Sequence, residues 1–132
     1  MRSHHIPIFL IILVHVQCAD VSLPAGAQLD ASFNGKTGYY APGQRFSVEL
    51  DMNADGGYQW SCSISDTTVV GTDGSTSYRP KNPAIADGGM TVATLHYRTL
   101  KAGYSILRLA ELRVWEKDVP PTNVVQFEIV VR

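Results

Sequence analysis

Cysteine is nearly missing from this chain. Of 132 residues only Cys18 and Cys62 carry a thiol, and Cys18 falls in a leader-like stretch. Beyond residue 18 a single cysteine and a single histidine, His96, are left. That inventory excludes a disulfide framework within the domain and a Cys/His zinc site. Charge is also sparse: 17% of residues are charged, the formal net charge is −1, and there is no run of either sign. A nucleic-acid partner needs a basic footprint, which is lacking. No low-complexity tract is present, and 45% hydrophobic content argues against disorder. Catalytic signatures are missing as well. There is no Gly-x-Ser-x-Gly, no phosphate loop and no histidine pair for a metal. Cys62 and His96 both sit in strand-like sequence with no matching motif around them, whereas a nucleophile needs a base beside it. The sequence therefore predicts a protein that is not an enzyme, holds no cofactor or metal, and has one domain stabilised by an ordinary apolar core.

The apolar run at residues 6–14 (IPIFLIILV) stops at nine residues, too short for a membrane-spanning helix. It follows a short, mildly basic start and precedes Val16-Gln17-Cys18, which puts small residues at −3 and −1 for cleavage before Ala19. This pattern predicts a signal peptide over 1–18 and export, to a secreted or periplasmic location. Ala25-Gly26-Ala27 is a later cleavage candidate, rather far from the run. Cys18 has a second reading, as the lipidated cysteine of a membrane-anchored lipoprotein, although Gln17 stands where a small residue is expected. A third is a short N-terminal strand or core segment. Cleavage would remove one of eleven basic residues and no acidic one, leaving ten against twelve and a net charge of about −2. Residues 19–29 are expected to form a flexible lead-in and 30–132 the domain, with no transmembrane helix in the mature form.

Alternation with a period of two runs through most of the remainder, the mark of half-buried strands. It is clear at 46–50 (FSVEL), after a Pro42-Gly43 turn, and at 58–64 (YQWSCSI), where Tyr58, Trp60, Cys62 and Ile64 share one face. Residues 67–70 form a short β-branched run. Residues 90–97 and 104–112 pair across a Lys101-Ala102-Gly103 turn, and 124–131 (VVQFEIVV) closes the chain. Residues 106–115 contain good helix formers, yet no cap precedes them and Gly103 and Pro120-Pro121 leave only a strand-length piece. Seven or eight short strands with frequent turns predict an all-β sandwich or barrel. Trp60 and Cys62 read as core residues on one face, and His96 as an ordinary strand residue.

Three turn segments carry further information. Asn53-Ala54-Asp55-Gly56-Gly57-Tyr58-Gln59-Trp60 joins two strands, Ala86-Asp87-Gly88-Gly89-Met90 opens another, and Leu112-Arg113-Val114-Trp115-Glu116 follows a third. Their order and spacing resemble the chagasin-type inhibitors of papain-family cysteine peptidases. That family carries an Asn-Pro-Thr-Thr-Gly-aromatic-x-Trp loop, a Gly-x-Gly-Gly loop and an Arg-Pro-Trp loop. Asn53, Gly57, Tyr58 and Trp60 match the first motif, Gly88 and Gly89 the second, and Arg113 and Trp115 the third. The resemblance extends over about residues 31–132.

The resemblance implies an immunoglobulin-like β-sandwich with the three loops clustered at one end. It implies reversible inhibition by occlusion of the peptidase cleft, the first tip over the catalytic cysteine and Trp115 against the far side. The implied contact set is Asn53, Ala54, Asp55, Gly56, Gly57, Tyr58, Asp87, Gly88, Gly89, Met90, Arg113 and Trp115. The implied partner is a papain-like cysteine peptidase, of a host or of the producing cell, met by a monomer.

Ala54-Asp55-Gly56 replaces Pro-Thr-Thr at the first tip, so a less preordered loop is expected there. Asp55 could repel a catalytic thiolate or attract its imidazolium partner. Each loop also has a plainer reading, as a hairpin connection or turn, and Tyr58 could lie in the core or at a contact. A non-inhibitory exported immunoglobulin-like binding or adhesion module is the competing function, because fold alone does not fix function.

Overall fold

The computed structural model describes residues 21–22, 26–85 and 88–132. The proposed signal segment 1–18, Cys18, and the loop residues Ala86 and Asp87 lie outside the described residues. Among the described residues ten strands occur in chain order: β1 (Val21–Ser22), β2 (Gln28–Leu29), β3 (Thr37–Tyr40), β4 (Arg45–Met52), β5 (Gln59–Ile64), β6 (Val70–Thr72), β7 (Ser77–Pro80), β8 (Thr91–Thr99), β9 (Gly103–Leu112) and β10 (Asn123–Val131). Eight of them have three residues or more, and the only helical element described is a 3-10 turn at Ala31–Phe33. Among the described residues no helix is long and apolar enough to cross a membrane.

The strands form two mixed sheets. One has the order β1-β3-β10-β9-β5, the other β2-β4-β8-β6 with β7 also paired to β8. Alternation drives their packing, because every second side chain of a strand points to the same face. Phe46, Val48, Leu50 and Met52 of β4 are buried, as are Val125, Phe127, Ile129 and Val131 of β10 and Leu107 and Leu109 of β9. These rows meet between the sheets as one apolar core, against which Trp60, Cys62 and Ile64 of β5 pack on their inner side. Tyr40, Phe46 and Tyr97 stack in series, with centroids 4.7 and 5.4 Å apart. The result is an all-β, immunoglobulin-like sandwich.

Three differences from the sequence reading have physical causes. The β-branched run at 67–70 is mostly turn, because the Asp66 carboxylate accepts from the backbone N–H of Thr68 and holds a local bend ahead of β6. Strand β7 has no inward face: all four of its residues are exposed, so it shows no alternation. Strand β3 is short and pairs in parallel with β10, a partner about ninety positions away in sequence. In addition, Gln28–Leu29, within the stretch read as a lead-in, pairs with β4, and Leu29 reaches the core. Cys62 and Trp60 are half-buried rather than fully enclosed.

Candidate functional site

Strand register brings three loops to one end of the sandwich. In one sheet Met52 pairs with Thr91 and Thr91 with Pro80, which places the start of the first loop (53–58) beside both roots of the second (81–90). In the other, Gln59 pairs with Leu112 and Asn123 with Glu111, which places the end of the first loop beside both roots of the third (113–122). The first loop crosses from one sheet to the other and joins the two sets.

The first loop is an Asn-capped turn. The Asn53 side-chain oxygen accepts from Gly56 N–H at 3.0 Å. Gly57 N–H donates to the Ala54 carbonyl at 2.9 Å, and Tyr58 N–H to the Asn53 carbonyl at 3.2 Å. Gly57 has φ +78°, a left-handed conformation that side chains with a β-carbon adopt at a cost. A β-carbon there would also lie 2.0 Å from Cη2 of Trp115, so the indole of the third loop rests directly on this glycine.

Arg113 makes the second link between these loops. Its Nε donates to the Gly56 carbonyl at 2.8 Å, its Nη1 donates to Glu116 Oε1 at 2.7 Å, and its guanidinium lies 4.4 Å from the Tyr58 ring centroid. The Glu116 hydrogen bond, first, and the Tyr58 and Glu116 charges raise the Arg113 pKa further, so the group stays cationic. Arg113, a contact residue by the family resemblance, thus has its Nε and Nη1 donors engaged within the chain, and with Trp115 it ties the third loop to Gly56 and Gly57 of the first.

Glu111 fastens the root of the third loop. It is 6% exposed, its carbonyl accepts from Thr122 N–H, and its carboxylate accepts from Thr122 Oγ1 at 3.0 Å and Asn123 Nδ2 at 2.9 Å. Sequence reading missed Glu111 and Glu116, since both partnerships are visible only after folding. Above this root Trp115 is 63% exposed, as is Val114 beside it.

The second loop closes through Lys81 N–H to the Met90 carbonyl and is shaped by Asn82, whose side chain accepts from Ala84 N–H. Gly88 has φ +75° and Gly89 lies against Ile85. Ile85 and Met90 are largely exposed. Asp55 of the first tip and Met90 of the second line one shallow groove. Thus Asn53, Ala54, Asp55, Gly56, Gly57, Tyr58, Gly88, Gly89, Met90, Arg113 and Trp115 all fall on the loop end, with the first and third loops locked and the second alongside.

Trp60, by contrast, belongs to the body: its Nε1 donates to the Asp51 carbonyl at 3.0 Å and its ring packs on the core. Cys62 receives the Tyr97 hydroxyl proton at 3.2 Å, and burial raises the thiol pKa against the smaller lowering effect of that bond. Such a thiol is a poor nucleophile. His96 meets Ser77 through Nε2 at 3.1 Å, on a different strand from Cys62 and in the other sheet. Among the described residues no cluster of three or more His, Cys, Asp or Glu side chains could hold a metal ion.

Comparison with known proteins gives a consistent picture. The family described as chagasin family peptidase inhibitor I42 matches residues 34–131. None of the curated proteins compared matches the chain. Among solved structures, the cysteine protease inhibitor EhICP2 from Entamoeba histolytica superposes with a TM-score of 0.73 at 20% identity, covering 83% of this chain and 99% of its own. Amebosin superposes with a TM-score of 0.65 at 19% identity, covering 83% of this chain and all of its own. At these identities the two structures speak to the fold.

Proposed function

The chain belongs to the chagasin family of peptidase inhibitors, and from that premise we propose that it blocks papain-like cysteine peptidases reversibly, by seating its loop end in their active-site cleft. The family is one of inhibitors, not of enzymes. The observation that carries the finer reading is the lock between the first and third loops: Trp115 on Gly57, and Arg113 on the Gly56 carbonyl. An interface gains affinity when its loops are ordered before contact, because less conformational entropy is lost on binding. An exposed tryptophan held on such a base is the kind of anchor that dominates binding energy. Nothing in this mode requires a scissile bond in the inhibitor, so occlusion leaves the chain intact.

The signal-like segment 1–18 makes the proposed site of action extracytoplasmic, with Cys18 as an alternative lipid anchor. The target is a peptidase of a host or of the producing cell, and the inhibitor acts as a monomer. Titrating several papain-like peptidases with the purified protein tests the proposal. Stoichiometric loss of activity at or below micromolar inhibitor supports it. Full activity of every enzyme at that concentration rejects it and leaves the binding-module reading.

A further inference from the structure

Among the described residues, the groove between the first and second loops holds one carboxylate without a counter-charge. Asp55 is exposed, and its side chain has no ion pair or hydrogen bond among the described residues. The cation that lines the groove beside it, Arg79, is paired with Glu49 at 2.6 Å, and Lys81 at the root of the second loop is paired with Asp51 at 2.5 Å. On the third loop Arg113 pairs with Glu116. The groove also carries exposed apolar side chains, Tyr78 61%, Ile85 49% and Met90 41% exposed, beside the polar Arg79, Asn82 and Thr91.

If this end is buried against a peptidase, as the proposed function holds, Asp55 is buried with it. A desolvated carboxylate without a partner costs several kcal/mol, more than any single apolar contact in the groove returns. The arrangement therefore demands a cation from the other side. A long basic side chain meets both halves of the groove, its aliphatic stem on Ile85 and Met90, its head on Asp55, and the Tyr78 face available to the charge. We propose that Asp55 is a specificity residue: the groove takes a Lys or Arg side chain projecting from the rim of the target's cleft, and the protein selects among peptidases by that charge. This deepens the inhibitory reading and rests on it. Charge complementarity of this kind acts mainly on association rate and on rejection of wrong partners.

The test uses the peptidase most tightly inhibited in the titration above, with Asp55→Asn and Asp55→Lys proteins. Both should melt near the wild-type temperature, since the exposed side chain has no ion pair or hydrogen bond among the described residues. The expected result is about a tenfold rise in inhibition constant for Asp55→Asn and a larger rise for Asp55→Lys. Association should slow with added salt for the wild type and lose most of that dependence in Asp55→Asn. Wild-type and Asp55→Asn proteins with equal constants, or tighter binding by Asp55→Asn, would overturn the proposal while leaving inhibition itself standing. Repeating the comparison on a Cys→Ser variant of the peptidase, which lacks the thiolate–imidazolium pair, fixes the source of the cation. An undiminished Asp55 effect supports a rim side chain; its disappearance assigns the cation to the catalytic imidazolium and contradicts the rim. Failure of the wild type to inhibit any enzyme would instead reject the functional reading beneath it.

Discussion

The Trp115 ring occupies the space that a side chain at position 57 would need: a β-carbon on Gly57 would lie 2.0 Å from its Cη2 atom. Gly57→Ala therefore has two separable effects. The left-handed φ costs about 1 to 2 kcal/mol for alanine, which lowers the melting temperature by several degrees. The methyl group also swings the exposed indole off its seat, and inhibition should weaken by tenfold or more. Thermal unfolding and inhibition assays on the same sample check both; an unchanged inhibition constant would show that Trp115 does not need this base.

Arg113→Lys tests the second link. A lysine has no planar fork, so it cannot donate to the Gly56 carbonyl, meet Glu116 and cover Tyr58 together. The ion pair is about one-third exposed and adds little to stability in water. The expected outcome is a melting temperature within a few degrees of wild type with a several-fold slower association with the peptidase. A direct contact role for Arg113 would show instead as a faster dissociation.

Much of this architecture is legible in the sequence, and the exceptions have a common cause. Strands β4, β5, β9 and β10 alternate because each has one face on the core, and the three loop motifs lie between them in recognisable order. Strand β7 gives no such signal, being exposed on every residue. Strand β3 is defined by a parallel partner remote in sequence. The lock between loops was equally hidden: Arg113 and Gly56 are 57 positions apart, and neither residue type announces the other. Sequence identified the loops and their exposed tryptophan, whereas the links from Arg113 and Trp115 to the first loop are contacts that only folding creates.

Thr99 provides a control remote from the loops, at the far end of β8. Fully buried, its hydroxyl donates to the Ala41 carbonyl at 2.7 Å and accepts from Gln44 N–H at 2.9 Å. Thr99→Val strands both partners and should cost about 1 to 3 kcal/mol. Denaturant titration should show that loss, while the inhibition constant measured well below the transition stays at the wild-type value.

Acid should weaken the fold through two capped carboxylates. Asp66 is held below its ordinary 3.8 by hydrogen bonds from the Thr68 hydroxyl and backbone, and Asp30 likewise by Ser32. A depressed folded-state pKa contributes stability that is present above the ordinary value and is lost as pH falls through the folded one. Melting temperature should therefore drop as pH is lowered below about 4. Asp66→Asn with Asp30→Asn should make that acid limb shallower; an unchanged limb would place the acid sensitivity elsewhere.

The central claim, that the locked loop end blocks a cysteine peptidase cleft, is tested most directly by competitive inhibition kinetics on papain and related enzymes with wild-type, Trp115→Ala and Trp60→Ala proteins. The account predicts competitive inhibition by the wild type at or below micromolar concentration. It predicts at least tenfold weaker inhibition by Trp115→Ala at nearly unchanged melting temperature. Trp60→Ala should lose about 2 to 4 kcal/mol of stability, because its ring packs on the core. No inhibition by the wild type, or equal inhibition by Trp115→Ala and wild type, would contradict it.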